Sequence, residues 1–134
     1  VTTYVDSSAL LKRYVDEPDS DQAISLLCGD PVLITSWLTM IEVRRNLARL
    51  LRGGLLDAAR RQLVADLDAM ALVSLDEQTC FAAAQIAEQL AVRSLDAIHL
   101  ASAQRLLIPS LTFITFDHRQ ASAARALGFI VLGS

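Results

Sequence analysis

Apolar and polar positions along this chain follow two rhythms. Short unbroken apolar runs between turn formers read as strands buried on both faces. Segments with apolar residues three to four apart read as amphipathic helices. Tyr4-Val5 leads into Asp6 as the end of a first strand. Leu10, Leu11, Tyr14 and Val15 follow at helical spacing, and Pro18 ends that helix. Asp19 or Ser20 is placed to cap a second helix through Ala23, Ile24, Leu27 and Cys28, stopping at Gly29. Val32 to Thr35, bounded by Pro31 and Ser36, reads as a second strand. A long helix from about Leu38 to Arg52 carries Met40, Ile41, Leu47, Leu50 and Leu51 on its apolar side, with Gly53-Gly54 closing it.

Leu55 to Met70 repeats the helical pattern, and Ala71 to Leu75 forms a third strand. Asp76 caps a helix bearing Phe81, Ala84, Ile86, Ala87 and Leu90. Ser94 opens another, Leu95 to Leu107, which ends near Pro109. Leu111 to Phe116 is a fourth strand that stops at Asp117. A short helix from Arg119 to Leu127 ends at Gly128, and Phe129 to Leu132 is a fifth strand. Continuous apolar strands alternating with helices describe one α/β domain over residues 1–134, with a parallel sheet covered on both faces. Right-handed crossovers limit the topologies, and ligands on such sheets bind at the carboxyl ends of the strands.

Composition adds a partner to this picture. Hydrophobic residues are 53% and charged ones 20% of 134, and the mean hydropathy is +0.39. No apolar run reaches the ~18 residues that span a bilayer, so the excess points to apolar surface covered by another chain. Val1 to Val5 runs into an acid with no basic leader, which predicts no signal peptide and a cytoplasmic location. Cys28 and Cys80 lie in apolar helical surroundings without metal spacing and are expected as reduced, buried or half-buried thiols. The net charge of −3 argues against non-specific coating of nucleic acid. Yet six of the twelve basic residues, Arg44, Arg45, Arg49, Arg52, Arg60 and Arg61, fall in one stretch, so the charge is uneven.

Four acids carry the candidate chemistry. Asp6 follows the first strand and Asp117 the fourth, both at the carboxyl edge. Asp96 lies in the first turn of its helix, and Glu42 about one turn into the helix after the second strand. Each has a local explanation: turn residues for Asp6 and Asp117, the helix dipole for Asp96, a pair with Arg45 or Asn46 for Glu42. Independent caps and turns need not fall on one edge, however. Clustered carboxylates repel one another unless a cation joins them. Hard divalent ions such as Mg²⁺ or Mn²⁺ take oxygen ligands, orient water and relieve charge on a phosphodiester.

At these residues the sequence resembles a known family. Tyr4-Val5-Asp6-Ser7-Ser8-Ala9-Leu10-Leu11-Lys12, the Glu42 helix, Ser94-Leu95-Asp96-Ala97-Ile98-His99-Leu100-Ala101 and Ile114-Thr115-Phe116-Asp117 are similar to the motifs of PIN-domain nucleases, nearest the VapC-type toxins of bacterial toxin–antitoxin systems. The resemblance implies a PIN-like three-layer α/β/α sandwich with a five-stranded parallel sheet. It implies an endoribonuclease whose Asp6, Glu42, Asp96 and Asp117 bind Mg²⁺ or Mn²⁺. Thr115, or after it Ser7, would be an assisting hydroxyl. The partners it implies are RNA, a VapB-type antitoxin and a second copy of the chain, in a homodimer and a hetero-oligomer. The alternative is a non-catalytic PIN-like module that binds RNA or protein.

Other residues have weaker claims. His99, one turn past Asp96, either touches the site or is a half-buried structural histidine. Arg119 either holds a phosphate or makes a helix-start salt bridge. Arg45, Arg49 and Arg52 form a stripe with Glu42 that leads across RNA phosphates, or else a solvated helix face. Trp37 and Tyr14 either stack a base or serve the core or an interface. Two other phosphate chemistries fail. An aspartate-nucleophile phosphatase needs an acid where Ser8 stands, and a receiver domain needs a late lysine, whereas the only lysine is Lys12.

Overall fold

The computed structural model describes residues 2–29 and 32–134; the Pro31 boundary of the second strand lies outside them. The elements are β1 (Thr2–Val5), α1 (Ser7–Leu11), α2 (Ser20–Cys28), β2 (Val32–Ser36), α3 (Trp37–Leu50), α4 (Gly53–Asp68), β3 (Ala71–Val73), α5 (Glu77–Leu90), α6 (Ser94–Gln104), β4 (Thr112–Ile114), α7 (His118–Ala126) and β5 (Ile130–Leu132). The five strands form one parallel sheet in the order β3-β2-β1-β4-β5. Chain order therefore runs outward from β1 on one side and resumes at β4 on the other. The switch point lies between β1 and β4, where Tyr4 pairs with Phe113 and Val5 with Ile114. Such switch points open a crevice at the carboxyl edge.

Successive strand residues point to opposite faces, and the core divides accordingly. Tyr4 and Phe113 pack with Ala83, Ile86, Ala97, Leu100 and Ala124 beneath α5, α6 and α7. Val5 and Ile114 pack with Leu10, Leu27, Val43, Leu47 and Leu63 beneath α1 to α4. Burial on both faces is the reason the strands are apolar throughout, and it makes the molecule a three-layer α/β/α sandwich. Among the described residues no helix is long and apolar enough to cross a membrane.

Several local expectations are corrected. Helix α1 ends at Leu11 instead of running on to Pro18, and the chain continues in turns. Asp19 flanks α2 but makes no cap hydrogen bond; its carboxylate lies 2.7 Å from Lys12 Nζ instead. Gly53-Gly54 opens α4 and does not close α3. The α3 carbonyls are capped by Arg52, whose Nη1 donates to the Ala48, Arg49 and Leu51 oxygens. The last three strands are each shorter than their apolar runs.

Exposure also departs from the periodicity. Ile41, Leu50 and Phe81, expected on apolar faces, are exposed. The buried rows are narrower: Thr39, Val43 and Leu47 on α3, and Thr79, Ala83 and Ile86 on α5. Cys28 and Cys80 are both free and exposed, not buried, because Cys80 falls beside the α5 row and Cys28 beside the buried Ser20, Ala23 and Leu27 of α2.

Candidate active site

The carboxyl edge is built from helix starts. Asp6 is the N-cap of α1, accepting from Ala9 N at 3.1 Å and from Ser8 Oγ at 2.7 Å. Asp117 is the N-cap of α7, its Oδ1 accepting from Arg119 N at 2.8 Å and Gln120 N at 3.2 Å. Asp96 lies in the first turn of α6, where Gln120, itself buried, donates to its backbone oxygen at 3.1 Å. Glu42 projects from α3 a turn and a half after β2 ends. The local roles foreseen for Asp6 and Asp117 as turn or cap residues are real, and the same backbone geometry turns both acids to one edge.

All four acids line a single cavity of about 230 Å³, together with Ser7, Ser8, Leu11, Asn46, Arg93 and His99. Three hydrogen-bonded chains organise it. In the first, Asp6 binds Ser8 Oγ, which lies 3.3 Å from Thr115 Oγ1, and that hydroxyl accepts from Asp117 N at 3.1 Å. In the second, Glu42 Oε1 accepts from Ser7 Oγ at 2.5 Å and pairs with His99 Nε2 at 2.7 Å. The far nitrogen of His99, Nδ1, meets Tyr4 Oη at 2.8 Å. In the third, Arg93 bridges two acids, with Nε 3.0 Å from Asp96 Oδ2 and Nη2 3.3 Å from Asp117 Oδ2.

Electrostatics separates the acids. Burial pushes the Asp6 carboxyl up from its ordinary value, and His99, Thr115, Ser8 and Ala9 N–H only partly oppose it. Burial also works against charge on Glu42, but the hydrogen bond from His99, its charge, Ser7 and Arg93 outweigh it and hold that carboxyl low. Burial, then the nearby Asp6 charge, raises the Tyr4 hydroxyl well above its usual range, so it stays protonated.

Thr115 is buried beneath the acids, whereas the hydroxyls of Ser7 and Ser8 lie on the cavity wall. Arg119 lies in the first turn of α7 and lines a neighbouring cavity of about 310 Å³ that shares Arg93 and Asp96 with the first. Arg45 and Arg49 are exposed, and Arg49 donates to Asn46 Oδ1 at 3.0 Å. Arg52 is turned back on its own helix. Trp37 is half exposed, and Tyr14 donates to Asp66 Oδ2 at 2.6 Å, away from the cavity. Tyr4 and Arg93 were not singled out from the sequence; Asn46, named there as a local partner of Glu42, donates to the Glu42 backbone oxygen at 2.9 Å. Only the i,i+3 pairing of Arg93 with Asp96 left a local signal.

Hard oxygen donors of this kind suit a divalent cation. Among the described residues no three acidic, histidine or cysteine side chains already stand as a ligand set; His99 and Ser7 engage one oxygen of Glu42, and Arg93 pairs with Asp96 and Asp117. The residues fit such an ion in donor type, with a guanidinium now beside two of the carboxylates.

This fold and this sequence have relatives among known proteins. The chain belongs to the PIN domain family, whose model matches residues 3–126, and within it to the VapC ribonucleases. It is 37% identical to Ribonuclease VapC46 of Mycobacterium tuberculosis over 129 residues, covering 96% of this chain and 95% of that one. Ribonuclease VapC47 of the same species is 34% identical over 131 residues, covering 95% and 93%. Among solved structures, a toxin–antitoxin complex from Klebsiella pneumoniae contains a chain of the same fold. That chain matches with a TM-score of 0.72 at 16% identity, over 97% of this chain and 95% of that one.

Proposed function

We propose that this protein is a divalent-metal-dependent endoribonuclease and the toxin of a toxin–antitoxin pair. The observation that carries the reading is the convergence of Asp6, Glu42, Asp96 and Asp117 on one cavity at the sheet's switch point. Near-full-length similarity to two ribonucleases and a fold shared with a toxin–antitoxin complex support it.

In this reading the four carboxylates hold Mg²⁺, or Mn²⁺ in its place. The bound ion supplies an activated water and charge relief on the phosphoryl oxygens. The chain's own residues do the rest. Asp6, buried and reluctant to ionise, gains most from a cation and is held in place by Ser8 and Ala9 N–H. Glu42, kept ionised, presents a carboxylate that orients ligands in the cavity. Thr115 acts from beneath, fixing Ser8 and the Asp117 backbone, while Ser7 faces the reacting groups. Arg93, 67% exposed, is free to exchange a carboxylate for a substrate phosphate.

Trp37 and Ile41 on α3 and Leu55 and Val64 on α4 are exposed apolar side chains of the kind that a partner covers. A VapB-type antitoxin and a second copy of the chain are the proposed partners. Incubation of the pure protein with mixed RNA in Mg²⁺, Mn²⁺ or EDTA tests the activity. Cleavage is expected with either metal and not in EDTA, and both Asp6→Asn and Asp96→Asn are expected to abolish it. Cleavage in EDTA, or by those variants, would overturn the metal mechanism. Absence of cleavage with either metal would leave a binding module.

A further inference from the structure

We infer that His99 is a positioning residue that aims the Glu42 carboxylate into the acid cavity, braced from behind by Tyr4. The inference rests on the metal-dependent reading above and goes beyond it, because His99 is not one of the acids.

The geometry singles His99 out. Its ring is 3% exposed, and both nitrogens are engaged, Nε2 by Glu42 at 2.7 Å with Ser7 Oγ 3.1 Å away, and Nδ1 by Tyr4 at 2.8 Å. Tyr4 is fully buried, stacks on Phe113 with ring centroids 5.1 Å apart, and meets the imidazole edge-on at 5.9 Å. The imidazole therefore has little freedom to tilt. Glu42 has much more, with a flexible side chain 23% exposed at the cavity wall. Ser7 and His99 both approach its Oε1, and neither engages Oε2, which stays available to a ligand.

The assignment holds in either charge state of His99. In the neutral ring Tyr4 donates to Nδ1, and Nε2–H points at Glu42. In the cation Nδ1–H points at Tyr4, and Nε2–H still points at Glu42. Groups that orient a metal-binding carboxylate from outside typically alter metal affinity or activity by 10–100-fold.

The test compares His99→Asn, His99→Gln and Tyr4→Phe, each in the native chain and in a Glu42→Gln chain. Mn²⁺ affinity is read from free-Mn²⁺ resonance, kcat and KM from cleavage of a mixed RNA, and folding from Tm. In the native chain His99→Asn is expected to weaken Mn²⁺ binding and kcat by about tenfold or more, with KM for RNA little changed. His99→Gln, whose amide nitrogen reaches toward the position of Nε2, recovers most of that loss. Tyr4→Phe costs a few-fold. In the Glu42→Gln chain, His99→Asn costs less than about twofold, because the group it acts through is gone.

Equal losses in both backgrounds, or native Mn²⁺ affinity in His99→Asn, would overturn the inference. If His99→Asn does not fold, Tyr4→Phe, which deletes one hydroxyl, makes the same comparison between backgrounds. Should the native chain neither bind Mn²⁺ nor cut RNA, the metal-nuclease reading itself falls and takes this inference with it.

Discussion

The guanidinium of Arg93 reaches 3.3 Å to the carboxylate of Asp117, although the two are 24 residues apart and belong to different helix starts. Through Nε the same side chain also holds Asp96, so one exposed cation spans two acids at the mouth of the cavity. The contacts on Arg93, those with Asp96 above all and then Asp117, favour its charge. In the proposed metal-dependent reading they would also set it in competition with a divalent ion.

Removing that competitor should be visible in binding. Arg93→Ala is expected to tighten Mn²⁺ binding by about threefold at low salt, with the gain shrinking as salt screens the exposed pairs. Titration of Mn²⁺ at two ionic strengths measures it. Weaker binding in the variant would show that Arg93 organises the acids instead of occupying them.

Asp6→Asn should separate stability from function. The folded carboxyl titrates above its unfolded value, so the buried charge costs stability at pH values above the folded pKa. Below the unfolded value both states are protonated and the cost vanishes. In EDTA the variant is expected to melt about 3 °C higher than the native chain at pH 7.5 and no higher at pH 3. Its RNA cleavage should be lost at both metals. A lower Tm at pH 7.5 would contradict the burial argument.

Asp66 gives the opposite pH signature. Partial burial opposes its charge, but hydrogen bonds from Arg13 at 2.7 Å, Tyr14 at 2.6 Å and Gln62 at 2.9 Å hold the carboxyl below its ordinary value. Its stabilising contribution is therefore complete above the unfolded pKa and disappears as pH falls through the lower, folded value. Asp66→Asn is expected to lower Tm by about 4 °C at pH 7. That difference should hold to pH 5 and fade below about pH 4. Melting curves across this range check the sign.

Gly133 links the end of the chain to the site. It has a φ of +100°, and a Cβ there would stand 2.5 Å from the backbone oxygen of Thr115. Gly133→Ala is expected to destabilise the fold by about 2 kcal/mol and to lower cleavage by displacing Thr115. Denaturant unfolding measures the first, and the RNA assay at 15 °C, where the variant stays folded, measures the second.

Product ends report the nucleophile. In the proposed mechanism water is the nucleophile, so cleavage is expected to leave a 5′-phosphate and a 3′-hydroxyl. Ligation-based sequencing of the fragments reads those ends directly, and 2′,3′-cyclic phosphates would assign the attack to the ribose.

The sequence by itself determined the class of fold and the edge on which the acids lie. Apolar runs too uniform for a half-exposed strand dictate a sheet covered on both faces, and Asp6 and Asp117 mark strand exits within a few residues of the apolar stretch. These are local properties, set by side-chain alternation and by the need to cap a helix. Only the tertiary structure decided that β4 lies against β1, because strand order depends on how crossover helices pack and not on any one strand. It also decided which rows of α3 and α5 are buried, leaving Ile41, Phe81 and Cys80 outside. Periodicity defines a face but not the width of its neighbour. The contacts of Arg93 with Asp117 and of His99 with Glu42 and Tyr4 join residues 24, 57 and 95 positions apart. Their directions come from the packing of whole elements. The four acids were therefore readable as a set, while the cation that bridges two of them, the phenol behind His99, and which of its two readings His99 takes became visible only in three dimensions.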